Sequence, residues 1–146
     1  MKQIFAFVVA ALLTLPFSAQ AENSTKIPGY TIHHNVISTD FLAPNIASAY
    51  RIIRSKNRGM LNISVIQDVP GTTGKPVMAN ITARAINLIG QSRFIPLRQI
   101  REGEAIYYIG DFIVPNNDTL VFMLEVKPEG SQQSYTAKLQ HQFSGE

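Results

Sequence analysis

The chain of 146 residues contains no cysteine. That absence removes disulfide staples, thiol nucleophiles, redox pairs and cysteine-bearing metal sites, so stability has to come from packing. Strong charge of one sign is also missing: the formal net charge is +3, and Lys2 supplies one unit of it. That is not the composition of a nucleic-acid-binding protein. No apolar run is long enough to cross a bilayer. The longest spans residues 4–17 and is interrupted by Pro16, whereas a spanning helix needs about 20 apolar residues. HExxH helices, nucleophile elbows and locally spaced serine–histidine–acid sets are absent too. A triad assembled from distant residues, such as Ser38, Asp111 and His141, is marked by no sequence signal.

What is present begins with an export signature. Lys2 precedes the apolar run, and Ser18-Ala19-Gln20-Ala21 ends in an A-x-A cleavage pattern. Residues 1–21 therefore read as a cleavable signal peptide, with cleavage after Ala21 and a periplasmic destination. No cysteine follows the apolar run, so nothing there could carry a lipoprotein lipid. Residues 22–29 read as a flexible lead-in closed by Pro28-Gly29, and residues 30–146 as one domain.

From Tyr30 onward, seven segments rich in β-branched and aromatic residues recur between turn-forming clusters, the pattern of a sandwich or barrel. Strands are expected over 30–37, 60–67, 77–88, 93–100, 105–114, 119–127 and 134–143. Alternation is the physical evidence, since successive strand side chains point to opposite faces. Tyr135, Ala137, Leu139, His141 and Phe143 share one side of the last segment. Leu61, Ile63 and Val65 share one side of the second, and Leu120, Phe122, Leu124 and Val126 one side of the sixth. Residues 42–50 break this rhythm with alanines and a proline suited to a first helical turn. They predict a short helix between the first two strands, capping an end of the sandwich with Ile46 and Tyr50 turned inward. The expected fold is all-β: a seven-stranded antiparallel sandwich of the immunoglobulin or fibronectin kind, with an open barrel as the alternative.

Four stretches carry a family resemblance: Tyr30-Thr31-Ile32-His33-His34-Asn35, residues 41–50, Arg54-Ser55-Lys56-Asn57-Arg58-Gly59-Met60-Leu61-Asn62-Ile63-Ser64-Val65, and Arg101-Glu102-Gly103-Glu104-Ala105-Ile106-Tyr107-Tyr108. Together they resemble an uncharacterised family of small exported proteins of Gram-negative bacteria, domain of unknown function 4426. The resemblance implies a periplasmic address and a sandwich fold. It implies no activity, because that family has no assigned catalytic or binding residues.

Candidate chemistry is sparse. Arg51, Arg54, Lys56 and Arg58 concentrate positive charge ahead of the second strand, where they could meet a phosphate, an acidic head group or an acidic protein surface. The alternative is a solvated loop, or pairing with Asp40, Asp68, Glu102 or Glu104. The fifth strand is apolar on both sides: Ile106, Tyr108, Phe112 and Val114 fill one lane, and Tyr107, Ile109 and Ile113 the other beside Asp111. Only one lane can enter the core, which leaves Tyr107 and Ile109 for a partner or for cover by the short helix. If the fifth and sixth strands form a hairpin, Val114 lies opposite Leu120, Ile113 faces Val121 and Asp111 faces Met123.

His33 and His34 point to opposite faces and cannot grip one ion. His34 and His141 are the weak metal candidates, meeting only if the first and last strands lie side by side. Gly71-Thr72-Thr73-Gly74-Lys75 lacks the full phosphate-loop pattern and is followed by Pro76 and a strand, not a helix. The leading expectation is a non-catalytic periplasmic module that binds an envelope protein or an anionic surface, with no cofactor and no nucleic acid. Its rival is a small-ligand or metal-binding protein, or a small hydrolase, using the rim histidines.

Overall fold

The computed structural model describes residues 23–115 and 118–143. The proposed leader, residues 1–21, lies outside the described residues. Among the described residues ten strands form two antiparallel sheets: β1 Ser24–Ile27, β2 Tyr30–Ser38, β3 Arg58–Gln67, β4 Lys75–Val77, β5 Ala79–Ile86, β6 Ser92–Ile95, β7 Arg98–Glu102, β8 Ala105–Ile113, β9 Thr119–Pro128 and β10 Tyr135–Gln142. Sheet A runs β1-β2-β3-β8-β7, with β4 also paired to β3. Sheet B runs β10-β9-β5-β6. The all-β sandwich is as expected, and each of the seven segments holds strand.

The count rises from seven to ten for local reasons. The run expected over 77–88 breaks at Met78, where β4 pairs with β3 in sheet A and β5 pairs with β9 in sheet B. The run expected over 93–100 breaks at Pro96, which has no N–H for a ladder. β6 stays in sheet B and β7 passes to sheet A. Hydrophobic alternation reads through such sheet switches because both halves face the same core. The third addition is β1, in the segment expected to be a flexible lead-in. Pro28-Gly29 makes a tight turn with Gly29 at φ 81, which suits glycine as third residue of a type II turn. Ser24 then pairs with His33, and Ile27 packs against the core.

β8 and β9 do not form a hairpin. They lie in opposite sheets, so Val114 and Leu120 both enter the core from opposite sides, and the Ile113–Val121 and Asp111–Met123 pairings do not exist. Asp111 instead lies opposite Met60, and Ile113 opposite Arg58.

The core is the set of inner lanes read from the sequence. Ile32, Leu61, Ile63, Phe122, Leu124 and Val126 are sealed from solvent. Each such side chain contributes roughly 1.5–3 kcal/mol of burial relative to exposure. Phe112 ties the sheets together, its ring 5.3 Å from that of Phe122 and 5.9 Å from that of Phe143. Gly59 makes room for this cluster, because a Cβ there would sit 2.6 Å from the Phe112 ring and 2.9 Å from Phe143. Gly110 does the same for the β6–β7 crossover, where a Cβ would meet Ile95 and the Pro96 carbonyl at 2.6 Å.

Among the described residues the one α-helix, α1, is Pro44–Ala49, with Pro44 in its first turn as expected. Its inward residue is Ala47 at 3% exposure, whereas Ile46 is 39% exposed, contrary to the expectation that Ile46 faces inward. A helix of six residues buries only a narrow stripe, and here that stripe falls on the small residue. The residues flanking it, Leu42, Tyr50 and Ile52, pack with Met60 and Ile109 on the outer face of sheet A. The helical segment thus covers a sheet face.

Candidate functional site: a groove on the outer face of sheet A

Side chains of β3 and β8 that point away from the core meet on the outside of sheet A. Met60 lies beside Asp111, Asn62 beside Ile109, Ile109 beside Arg98, and Tyr107 beside Ile100. Residues 42–52 cover part of this face, burying Ile52, Met60 and Ile109. Cover by the chain's own helical segment, one of the two fates expected for the outer lane of β8, holds for Ile109. Tyr107 is half-buried and Ile113 is 57% exposed.

Where the cover ends, Tyr50, Met60, Asn62, Ile100, Glu102, Tyr107 and Ile109 line a groove of about 250 Å³. One wall is held by side-chain bonds. The Tyr50 hydroxyl donates to the Glu102 carboxylate, and the Arg98 guanidinium donates to the Tyr50 carbonyl. The C-terminal end of α1 is therefore fastened to β7 at two points. The floor carries an unsatisfied polar atom: Oδ1 of Asn62 is buried and accepts no hydrogen bond. A buried acceptor without a donor costs about 1–3 kcal/mol, which a ligand donor or an ordered water would relieve.

The basic residues read from the sequence divide into two classes. Arg58 pairs with Asp111 at 2.5 Å on the outer face, an acid outside the set anticipated for it. Arg54 donates to the Asp40 carbonyl at 3.0 Å. Arg51 and Lys56 remain exposed. Their loop is anchored by Thr39, which is sealed from solvent. Its hydroxyl accepts from the Ser55 N–H at 2.9 Å and lies 2.8 Å from the Ile53 carbonyl. Arg51 occupies the left-handed region at φ 57 and closes α1, with Arg51 N–H bonded to Ser48 and Ile52 N–H bonded to Ala47. This Schellman-type ending usually takes glycine. Arg51 directly follows the groove residue Tyr50, so the basic segment and the Tyr107–Ile109 lane meet at the end of α1.

The histidines have other roles. His34 is 3% exposed in the inner lane of β2, its Nε2 lying 3.0 Å from the Thr25 hydroxyl of β1. His141 stacks edge-on against Phe143 at 4.5 Å, and burial lowers its pKa below the ordinary 6.5. β2 and β10 belong to opposite sheets and are not hydrogen-bonded neighbours. Among the described residues, no group of three or more histidine, aspartate or glutamate side chains could hold a metal. The Gly71–Lys75 segment forms a turn in which the Thr72 hydroxyl donates to Val69 and accepts from Gly74, and β4 follows it.

Sequence reasoning located Tyr107, Ile109 and the basic segment, expected Tyr50 to turn inward and offered Glu102 only as a partner for the basic residues, and it did not single out Asn62, Arg98 or Thr39. Their significance comes from cross-strand register and from the return of residues 39–57 over the sheet, neither of which leaves a local pattern.

Solved structures share this architecture. A crystal structure of a DUF4426 family protein from Pseudomonas aeruginosa is 30% identical, with a TM-score of 0.72 over 88% of this chain and 98% of that one. FetP of uropathogenic Escherichia coli, expressed in the periplasm, superimposes with a TM-score of 0.62 at 9% identity, covering 86% of this chain and 95% of that one. A copper-bound variant of FetP gives 0.61 at 9% identity, covering 86% and 96%. No curated protein matches the sequence. Residues 24–145 match the family described as "Domain of unknown function (DUF4426)", and with the Pseudomonas relative this places the chain in that uncharacterised family.

Proposed function

We propose that the protein is a non-catalytic periplasmic interaction module, exported by a leader cleaved after Ala21, which binds another envelope component through the outer face of sheet A. The observation that carries this reading is the groove between Tyr50 and Tyr107. It combines aromatic walls, apolar Met60 and Ile109 and an unsatisfied Asn62 acceptor, and exposed Arg51 directly follows its wall residue Tyr50. Aromatic side chains that offer an apolar body and a polar tip are enriched at contact surfaces, and Tyr107 and Tyr50 are of that kind. The strand order supports an immunoglobulin-like reading of the sandwich. Lettered A, B, C, C′, D, E, F and G, strands β2, β3 and β5 to β10 run A-B-E-D in one sheet and G-F-C-C′ in the other. Among the described residues no helix is long and apolar enough to cross a membrane.

A photo-crosslinking residue at position 107, in cells exporting the protein, tests the reading. A reproducible adduct from position 107, with none from exposed position 133 in the β9–β10 turn, is the expected result. Failure to form any adduct at 107 across several growth conditions and envelope stresses would remove the groove as a contact surface.

The second reading, a small-ligand or metal-binding protein, is favoured by His141 bordering a cavity of about 340 Å³ with Asn35, Val36 and Lys138. The sandwich shared with copper-bound FetP speaks to fold alone. Copper titration of the wild type and His141→Ala decides it: equal uptake by both removes His141 from any metal site.

A further inference from the structure

The outer groove leaves unexplained a second feature on the opposite sheet. The hairpin joining β5 and β6 carries Leu88 at 77% and Ile89 at 80% exposure on its tip. Apolar side chains at a turn are usually replaced by polar ones, yet this tip is rigidly built to present them. The Asn87 side-chain oxygen accepts from the Ile89 N–H at 3.2 Å and the Gln91 N–H at 2.8 Å, and its amide donates to the Gln91 side chain at 2.8 Å. Gly90, at φ 83, closes the turn. Four rungs of β-pairing hold the hairpin behind it.

Positive charge flanks the tip. From Val69 to Arg101 the chain carries Lys75, Arg84, Arg93, Arg98 and Arg101 and no acidic residue. Arg84 lies over the exposed ring of Phe94 at 5.0 Å and donates to Ser92, and Arg93 donates to the Ile113 carbonyl. All these partners are neutral, so both guanidinium charges are uncompensated by them. Acids on neighbouring elements are half-buried Asp118, which lines a cavity together with Arg93, and exposed Glu125, opposite Thr82 on the strand next to β5.

We propose that this hairpin is a membrane-surface anchor: Leu88 and Ile89 enter the acyl boundary of an anionic phospholipid bilayer while Arg84 and Arg93 remain at the phosphates. Two exposed aliphatic side chains at a hairpin tip favour a fluid partner. A protein partner buries about 800 Å² per side on a matched surface, whereas two protruding aliphatic side chains need only a medium that opens around them. Cations set behind an apolar apex match the depth profile of a bilayer, hydrocarbon inside and phosphate outside. This surface is separate from the sheet A groove, so either assignment can fail without the other.

The test is vesicle flotation of the mature protein, purified after export and checked by mass to lack its leader. Vesicles of phosphatidylethanolamine with phosphatidylglycerol are compared with phosphatidylcholine alone. Binding to the anionic vesicles that weakens with added salt is expected. Leu88→Asp with Ile89→Asp should lower it by about tenfold or more without moving the melting temperature, because both side chains already face solvent. Arg84→Gln with Arg93→Gln should erase the preference for anionic over zwitterionic vesicles. The chain has no tryptophan, so Ile89→Trp gives a single reporter whose emission should shift to the blue on the anionic vesicles. Absence of vesicle binding, binding unchanged by the aspartate pair, or self-association through the tip in lipid-free sedimentation would each overturn the proposal.

Discussion

The two sides of strands β3 and β8 were built by different rules. On the inner side, Leu61, Ile63, Tyr108 and Phe112 meet sheet B in a continuous apolar layer. On the outer side, Met60, Asn62, Tyr107, Ile109 and Asp111 meet a short returning segment that covers some of them and leaves a groove over the rest. The inner side carries stability, and the Tyr108 hydroxyl on it accepts from the Ala79 N–H and the Gln99 amide. The outer side keeps a buried acceptor on Asn62 and an arginine in a conformation suited to glycine. Asn62 lies on the floor of the groove and Arg51 directly follows its wall residue Tyr50, and backbone strain and unmet polar groups tend to concentrate where a surface serves binding.

The sharpest way to break this contrast is to delete equivalent bulk from each side. Ile63→Ala should cost about 4 kcal/mol, because Ile63 is sealed from solvent and neither sheet can close over the void. Ile109→Ala should cost nearer 2 kcal/mol, since its cover is a six-residue helix and its flanks, which can settle into the space. Urea unfolding midpoints of the two variants measure the difference, and equal losses would mean that the outer cluster is as much a core as the inner one.

A smaller effect of opposite sign is expected at Arg51. Glycine relieves the left-handed conformation, which costs an L-residue about 1–2 kcal/mol, so Arg51→Gly should stabilise the protein by about 1 kcal/mol after glycine's own entropic cost. If the arginine serves the groove, the same variant should weaken crosslinking from position 107. Stabilisation without that loss would assign Arg51 no part in recognition.

The smallest effect concerns His141. Burial lowers its pKa in the folded chain relative to 6.5 unfolded, so below that value the unfolded state binds more protons. The stability contribution is complete above pH 6.5 and declines as pH falls through the folded pKa. His141→Gln should flatten that part of a stability-against-pH curve, and an unchanged slope would show that the ring titrates as if exposed.

Much of the sandwich was legible because alternation is a local property. Residues 119–127 and 134–143 could be read strand by strand, and their lanes are the lanes of the core. The basic segment and the Tyr107–Ile109 lane were equally visible as residues. Charge pairing was not, since Arg58 meets Asp111 through the β3–β8 register, across more than fifty positions of chain. The Tyr50–Glu102 bond and the Arg98 contact are of the same kind. Pro28-Gly29 was read as an ending when it is the turn of the first hairpin, because a turn signal does not say whether the chain before it is ordered.

By itself, the amino-acid order determined the apolar lanes of strands such as β3, β9 and β10, where turns fall, that no thiol chemistry is available and that a short helix interrupts the strands. Tertiary structure alone decided which sheet each strand joins, how two runs divide between sheets, and which outer side chains the helical segment covers. The physical reason is range. Alternation and turn preference are settled between neighbouring residues, whereas sheet membership and cover depend on shape and hydrogen bonding between segments that meet only after the chain has closed on itself.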